Sequence, residues 1–181
     1  MSAARPPGPP PNSVDPEGEF PLGAPEYFFY LLFQAARQRD LYFDRALEPV
    51  GLNIAQWRSL AIIRRLESCT MTALARYSTV ERTTLTRAVD QLAARGLVDR
   101  SVPDRDRRQV NLALSDLGAT VYAQAVEILK ERNRTVLAEV DAERLRAATR
   151  VLQETLLKLA GGGDLAADLL NFGNAAPLPD G

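Results

Sequence analysis

The chain contains no histidine and a single cysteine, Cys69. These shortages remove much of the usual catalytic chemistry. Zinc sites built on imidazole, Ser-His-Asp triads, Cys-His pairs and histidine proton shuttles have no residues to use. One thiol forms neither an internal disulfide nor a metal cluster. Catalysis would have to rest on carboxylates, lysine or tyrosine, and no constellation of these residues stands out, so neither an enzymatic activity nor a cofactor is expected. Also missing are a secretory leader and any run of 18 apolar residues, so a cytoplasmic protein with no membrane partner is expected.

What remains is an ordinary soluble composition. The 181 residues, 46% hydrophobic and 25% charged, are enough for one compact domain, or one domain plus an interface. A formal net charge of −1 weighs against a nucleic-acid partner only if the charge is spread evenly, and it is not. From Thr72 to Gln109 eight arginines stand against five acids, a local charge of +3. The first 27 residues hold Arg5 against Asp15, Glu17, Glu19 and Glu26, which is −3. Residues 1–25 also carry eight prolines, a composition that builds no core and predicts a disordered or loosely docked arm.

Beyond the arm, Glu26 to Leu47 reads as a helix with Tyr27, Phe28, Tyr30, Leu31, Leu32, Phe33, Leu41, Tyr42 and Phe43, ended by Pro49 and Gly51. It is apolar around most of its circumference and needs cover on more than one side, which in so small a protein implies a second subunit. Asn53 and Gln56 have capping-box spacing and open a helix to about Leu66 with Trp57, Leu60, Ile62 and Ile63. Cys69 then falls in the turn before TMTALARYS, a short helix over 70–78.

The next stretch, VERTTLTRAVDQLAARGLVDRSVPDRDRRQVNLALS, reads as helix, strand, basic loop and returning strand over residues 80–115. Val80, Leu85, Val89 and Leu92 form its apolar stripe, while Arg82, Thr83, Thr84, Thr86 and Arg87 take the other face. Hydroxyls and guanidiniums near a helix start suit phosphates and base edges, and a short helix just upstream completes a helix-turn-helix. Thr83 and Thr84 have an alternative role as the helix cap. Gly96 is placed to end the helix. Val98 then alternates against Val110, Leu112 and Leu114 across the loop VPDRDRRQ, which makes a wing. Ser115 caps a long helix past Tyr122, Val126, Leu129 and Val136. A last helix from Asp141 places Leu145, Ala148, Leu152, Leu156 and Leu159 on one stripe up to Gly161–Gly163, and the tail adds only a short turn near Leu165, Leu169 and Phe172.

VERTTLTRAVDQLAARGLVDR followed by DRRQVNLALSDLG resembles the recognition helix and wing signature of the multiple antibiotic resistance regulator (MarR) family, and GLNIAQWRSL is similar to the family's second helix. The departures are Glu81 where Asp is common, Thr79 where Gly is common and Ser115 where Thr is commoner, each keeping similar polarity or capping chemistry. The resemblance covers roughly residues 26–160. It implies a mainly α protein with a small β-hairpin wing: a winged helix-turn-helix head over 53–114, a helical dimerisation region over 26–52 and 115–161, and a tail over 162–181.

By position it places Thr84, Thr86 and Arg87 toward a DNA groove and Arg82 and Thr83 nearer phosphate. Asp106 and Arg108 match the charged wing positions. Arg105, Arg107 and Arg108 all compete to be the tip. The implied function is that of a homodimeric repressor bound to a pseudo-palindromic double-stranded operator, released by a small aromatic or acidic effector. Tyr30, Phe33, Arg37, Trp57 and Arg64 are the candidate effector contacts, with dimer core as the alternative role of the aromatics. Two other readings stand beside this one: oxidation of Cys69 as the switch, and a winged-helix interaction module without specific DNA binding.

Overall fold

The computed structural model of the chain is described over residues 24–102, 110–161 and 163–174. The chain divides into two compact units, residues 1–42 and 43–181. In the first lies most of α1 (Ala24–Ala46), on which Tyr30 and Phe33 are exposed and Tyr27 stacks on Tyr30. The last turn of α1 belongs to the second unit, where Phe43, Ala46 and Leu47 enter the core. Pro49 continues the chain as a short 3-10 turn over Glu48–Val50, where its fixed φ is tolerated, and Gly51 at φ 65° turns it toward the next helix.

That helix, α2 (Ile54–Leu66), begins with the predicted capping box. Asn53 Oδ1 accepts from the Gln56 amide at 2.9 Å, and Gln56 Oε1 accepts from the Asn53 amide at 3.0 Å. The other end of the Gln56 amide donates to Gln91 Oε1 at 2.9 Å and ties α2 to α4. After α2 come β1 (Ser68–Thr70), α3 (Met71–Tyr77), α4 (Arg82–Ala94), β2 (Val98–Ser101) and β3 (Asn111–Leu114). Three antiparallel strands in the order β1-β3-β2 form one small sheet, with Cys69 opposite Leu112 and Val98 opposite Leu114. Leu60, Ile63, Leu74, Leu85, Val89, Leu92 and Leu112 are fully buried together. At about 1.5–3 kcal/mol for each large side chain, this cluster is the main stabilising term of the head.

Four expectations need correction. Cys69 sits in strand β1, not in a turn; three residues are too few to show an alternating pattern. Val80 precedes α4, because Glu81 is the N-cap and the helix starts at Arg82, and so does not belong to its stripe. Val110 lies outside β3 and is exposed. The tail holds an eleven-residue helix, α7 (Asp164–Asn174), where only a turn was expected.

From the head, α5 (Asp116–Val136) and α6 (Ala142–Leu159) follow. Asp141 caps α6 through the amides of Glu143 and Arg144. The junction into α5 is tightly made. Ser115 Oγ donates to the Gly96 carbonyl at 2.6 Å and accepts from the Gly118 amide at 2.9 Å, while the Ser115 amide donates to the Leu97 carbonyl. A Cβ at Gly118 would stand 1.9 Å from that same carbonyl oxygen. Both sides are backbone, so neither yields cheaply. Gly118→Ala is therefore expected to destabilise the protein by about 2–3 kcal/mol in urea unfolding. Wild-type stability in that variant would mean the seam is not close-packed.

Candidate nucleic-acid interface

The helix pair is built by local caps. Thr70 Oγ1 accepts from the Ala73 amide at 3.2 Å and starts α3, whose buried Leu74 fixes it to the core. The chain then turns through Ser78, whose hydroxyl accepts from the Val80 amide at 3.0 Å. Glu81, not Thr83 or Thr84, is the N-cap of α4. Its Oε2 accepts from the Thr83 and Thr84 amides at 2.8 and 3.1 Å, and its Oε1 accepts from Thr83 Oγ1 at 3.0 Å. These two amides first, then the Thr83 hydroxyl and the charge of Arg87, hold the Glu81 carboxyl below its usual range.

From that start α4 divides sharply into two faces. Leu85, Ala88, Val89 and Leu92 are buried, whereas Arg82, Thr83, Thr84, Thr86 and Arg87 are all exposed on the side away from the core. Thr86 Oγ1 donates to the Arg82 carbonyl at 2.9 Å, which leaves its lone pairs turned outward as acceptors. At the far end of α4, Asp90 pairs with Arg100 of β2 and braces the wing base on the helix. The base closes at Ser101 opposite Asn111. The wing candidates Arg105, Asp106, Arg107 and Arg108 lie outside the described residues.

The candidate effector contacts divide between the two units. Tyr30, Phe33 and Arg37 belong to α1 in the first unit. In the second, Trp57 is half-buried and stacks on Tyr122 of α5, with ring centroids 5.3 Å apart and planes 10° from parallel. Burial raises the Tyr122 phenol above its usual value, opposed by the charges of Arg64 and Lys130. Trp57 and Arg64 thus share the surroundings of Tyr122. Sequence reading had taken that tyrosine only as part of a helix stripe, because the pairing of α2 with α5 is set by tertiary packing.

Cys69 is buried, and loss of solvation pushes its thiol up from 9.0 to about 11. A sensing thiol needs the opposite, a lowered pKa and access to oxidant. Among the described residues no group of His, Cys, Asp and Glu is arranged to hold a metal ion, and no helix is long and apolar enough to cross a membrane.

A short capped helix, a four-residue turn, a second helix with a polar outer face and a braced β-hairpin define a DNA-binding winged helix-turn-helix protein. The MarR family model matches residues 52–110, which is this unit from the start of α2 into the wing. The match spans about a third of the chain and marks this stretch as similar to the DNA-binding domain of MarR-family transcriptional regulators.

Solved structures agree on the fold. A MarR-family regulator from Silicibacter pomeroyi is 25% identical, with 76% of this chain and 93% of that one covered and a TM-score of 0.65. A mutant MarR from E. coli complexed with operator DNA is 23% identical over 70% of this chain and 91% of its own, TM-score 0.65. Bordetella bronchiseptica BpsR, whose DNA binding is regulated by 6-hydroxynicotinic acid, is 19% identical over 71% and 98%, TM-score 0.65.

Because the Glu81 pKa is depressed in the folded state, its cap is present above the ordinary glutamate value of 4.5 and is lost as pH falls through the lower folded value. The Thr83 and Thr84 amides should therefore lose hydrogen-exchange protection in acid, and Glu81→Ala should abolish that pH response. An identical acid transition in the variant would remove Glu81 from this role.

Proposed function

We propose that the protein is a homodimeric repressor that binds a pseudo-palindromic operator and leaves it when a small aromatic or acidic ligand binds. The observation that carries the DNA half is the division of α4: five exposed hydroxyl or guanidinium side chains over its first turns, on a helix anchored by four buried apolar ones. In this reading Thr84, Thr86 and Arg87 meet base edges in the major groove, and Arg82 and Thr83 meet phosphate. In the same reading Arg105, Arg107 or Arg108 would reach the minor groove, with Asp106 bracing the wing. Support for a dimer comes from apolar surface beyond the head: Val136, Leu137 and Val140 around the end of α5, and Leu145, Val151, Leu152 and Leu159 on α6, are exposed in the single chain. With 26–52 and 115–161 as the dimerisation region, two heads with recognition helices about 34 Å apart fit successive major grooves.

The ligand half rests on the stacked Trp57 and Tyr122 rings, which offer a flat apolar wall, with Arg64 as a cation for an acid group. A relative regulated by 6-hydroxynicotinic acid points to the same chemistry, a small aromatic acid. Tyr30, Phe33 and Arg37 of α1 are further candidate ligand contacts.

The deciding experiment is binding to duplex from the protein's own promoter, measured by fluorescence anisotropy across salt concentrations. Arg87→Ala should cost about 1–3 kcal/mol at its matched base pair and relax specificity there. Unchanged affinity and specificity would take Arg87 out of the interface. Arg107→Ala and Arg108→Ala should flatten the salt dependence if they neutralise phosphates; an unchanged slope in both would remove them. Trp57 is the chain's single tryptophan, so its emission reports directly on the proposed pocket. Titration with 6-hydroxynicotinate should quench it and release operator, with Arg64→Ala weakening the effect about tenfold. A spectrum indifferent to aromatic acids would exclude this wall as the ligand site.

A further inference from the structure

Helix α7 grips the head at one place. Asp168 and Phe172, one turn apart and so on one side of α7, meet Arg76 and Tyr77, the last two residues of α3. Asp168 forms an ion pair with Arg76. Phe172 stacks on Tyr77 with centroids 4.4 Å apart and planes 13° from parallel, and the Arg65 guanidinium lies 5.9 Å from the Phe172 ring centre. Ala166 is fully buried, so α7 is seated. A cleft of about 240 Å³ remains beside it, lined by Arg65, Leu66, Tyr77, Asp168, Asn171 and Phe172. At its other end α7 packs against α6 through a junction in which Gly161 takes φ 74°.

The gripped position matters for DNA. In a helix-turn-helix the first helix crosses the phosphate backbone, and Arg76 ends that helix just before the turn into α4. Its guanidinium is only partly covered and is satisfied by a carboxylate, which presents two anionic oxygens much as a phosphate does. We propose that α7 is an autoinhibitory latch: Asp168 occupies Arg76 in place of an operator phosphate, the Phe172–Tyr77 stack holds it there, and DNA binds fully only after displacing it. Exposed ion pairs are weak in water, so an array of phosphates can win this exchange while the latch still lowers affinity.

The proposal rests on the DNA-binding reading, and the test separates the two. In the full-length protein Asp168→Asn should bind operator duplex several-fold more tightly at moderate salt. Its log-log salt dependence should be steeper by about 0.9 for each head, the value for one added phosphate contact. Phe172→Ala should change binding in the same direction. In an Arg76→Ala background Asp168→Asn should add nothing. Unchanged or weaker binding by Asp168→Asn overturns the latch, as does a gain that persists without Arg76, which would be a general charge effect. If the wild-type chain binds no duplex even at low salt, the DNA-binding reading fails instead. Hydrogen exchange over 164–174 then decides the latch alone: Asp168→Asn should speed exchange, and unaltered protection overturns it.

Discussion

The arrangement of the second unit depends on one backbone contact, the approach of Gly118 to the Leu97 carbonyl. Leu97 directly follows the left-handed Gly96 that ends α4, and its amide donates back to Leu92 within that helix. Its carbonyl accepts from Ser115, the residue that starts α5. The end of α4, the start of β2 and the first turn of α5 therefore meet across two peptide groups. Only a residue without a side chain at 118 permits this separation. Ser115 reinforces it by spending its hydroxyl on both sides, as a donor to Gly96 and as the cap of α5. The consequence is mechanical: α4 and α5 cannot swing independently without breaking the seam.

The same economy governs the start of α4. Glu81 brings a negative charge to a surface otherwise suited to phosphate, which looks unfavourable for binding. It is accounted for by the first amides of α4, which need an acceptor and receive one from a carboxylate tied to both Thr83 and Thr84. That bond fixes where the helix starts, and hence which residues of the stretch 82–87 point outward. Arg87 offsets part of the charge. At the other end, the Asp90–Arg100 pair sets the wing base against α4, so both candidate DNA elements are referenced to one helix.

How much of this was legible in the chain follows from the kind of signal each feature leaves. The capping box at Asn53 and Gln56, the burial of Leu85, Val89 and Leu92, the cap at Ser115 and the start of α6 after Asp141 are local or periodic, and they stand as read. The boundary of α4 was misjudged by Val80 because an apolar residue in the right phase does not reveal that the following glutamate caps the helix. Strand β1 was invisible, since its three residues earn their place only by pairing with β3, over forty positions away. Helix α7 follows a glycine run and a proline lies beyond it, so local punctuation masked a helix whose seat is supplied by Arg76 and Tyr77. The same reason hid Tyr122: the sequence shows Trp57 and Tyr122 on two stripes and is silent on which stripes face each other.

If the proposed pocket is used, Tyr122 would link it to the outer face of α4. It lies on α5, about one turn beyond the seam at Gly118, and stacks on Trp57 of α2. Helix α2 is bound to α4 by the Gln56–Gln91 hydrogen bond and the shared apolar core. A planar molecule inserted between or against these rings would push α2 and α5 apart, yet α4 is fastened to both, to α2 through Gln91 and to α5 through Leu97 and Ser115. Because packed interiors resist gradual deformation, α4 cannot absorb the strain by bending. The displacement would therefore carry α4, the base of the hairpin and the first turn of α5 together as one body. In the proposed dimer such a shift would alter the spacing of the two α4 helices, which a pseudo-palindrome requires to be fixed.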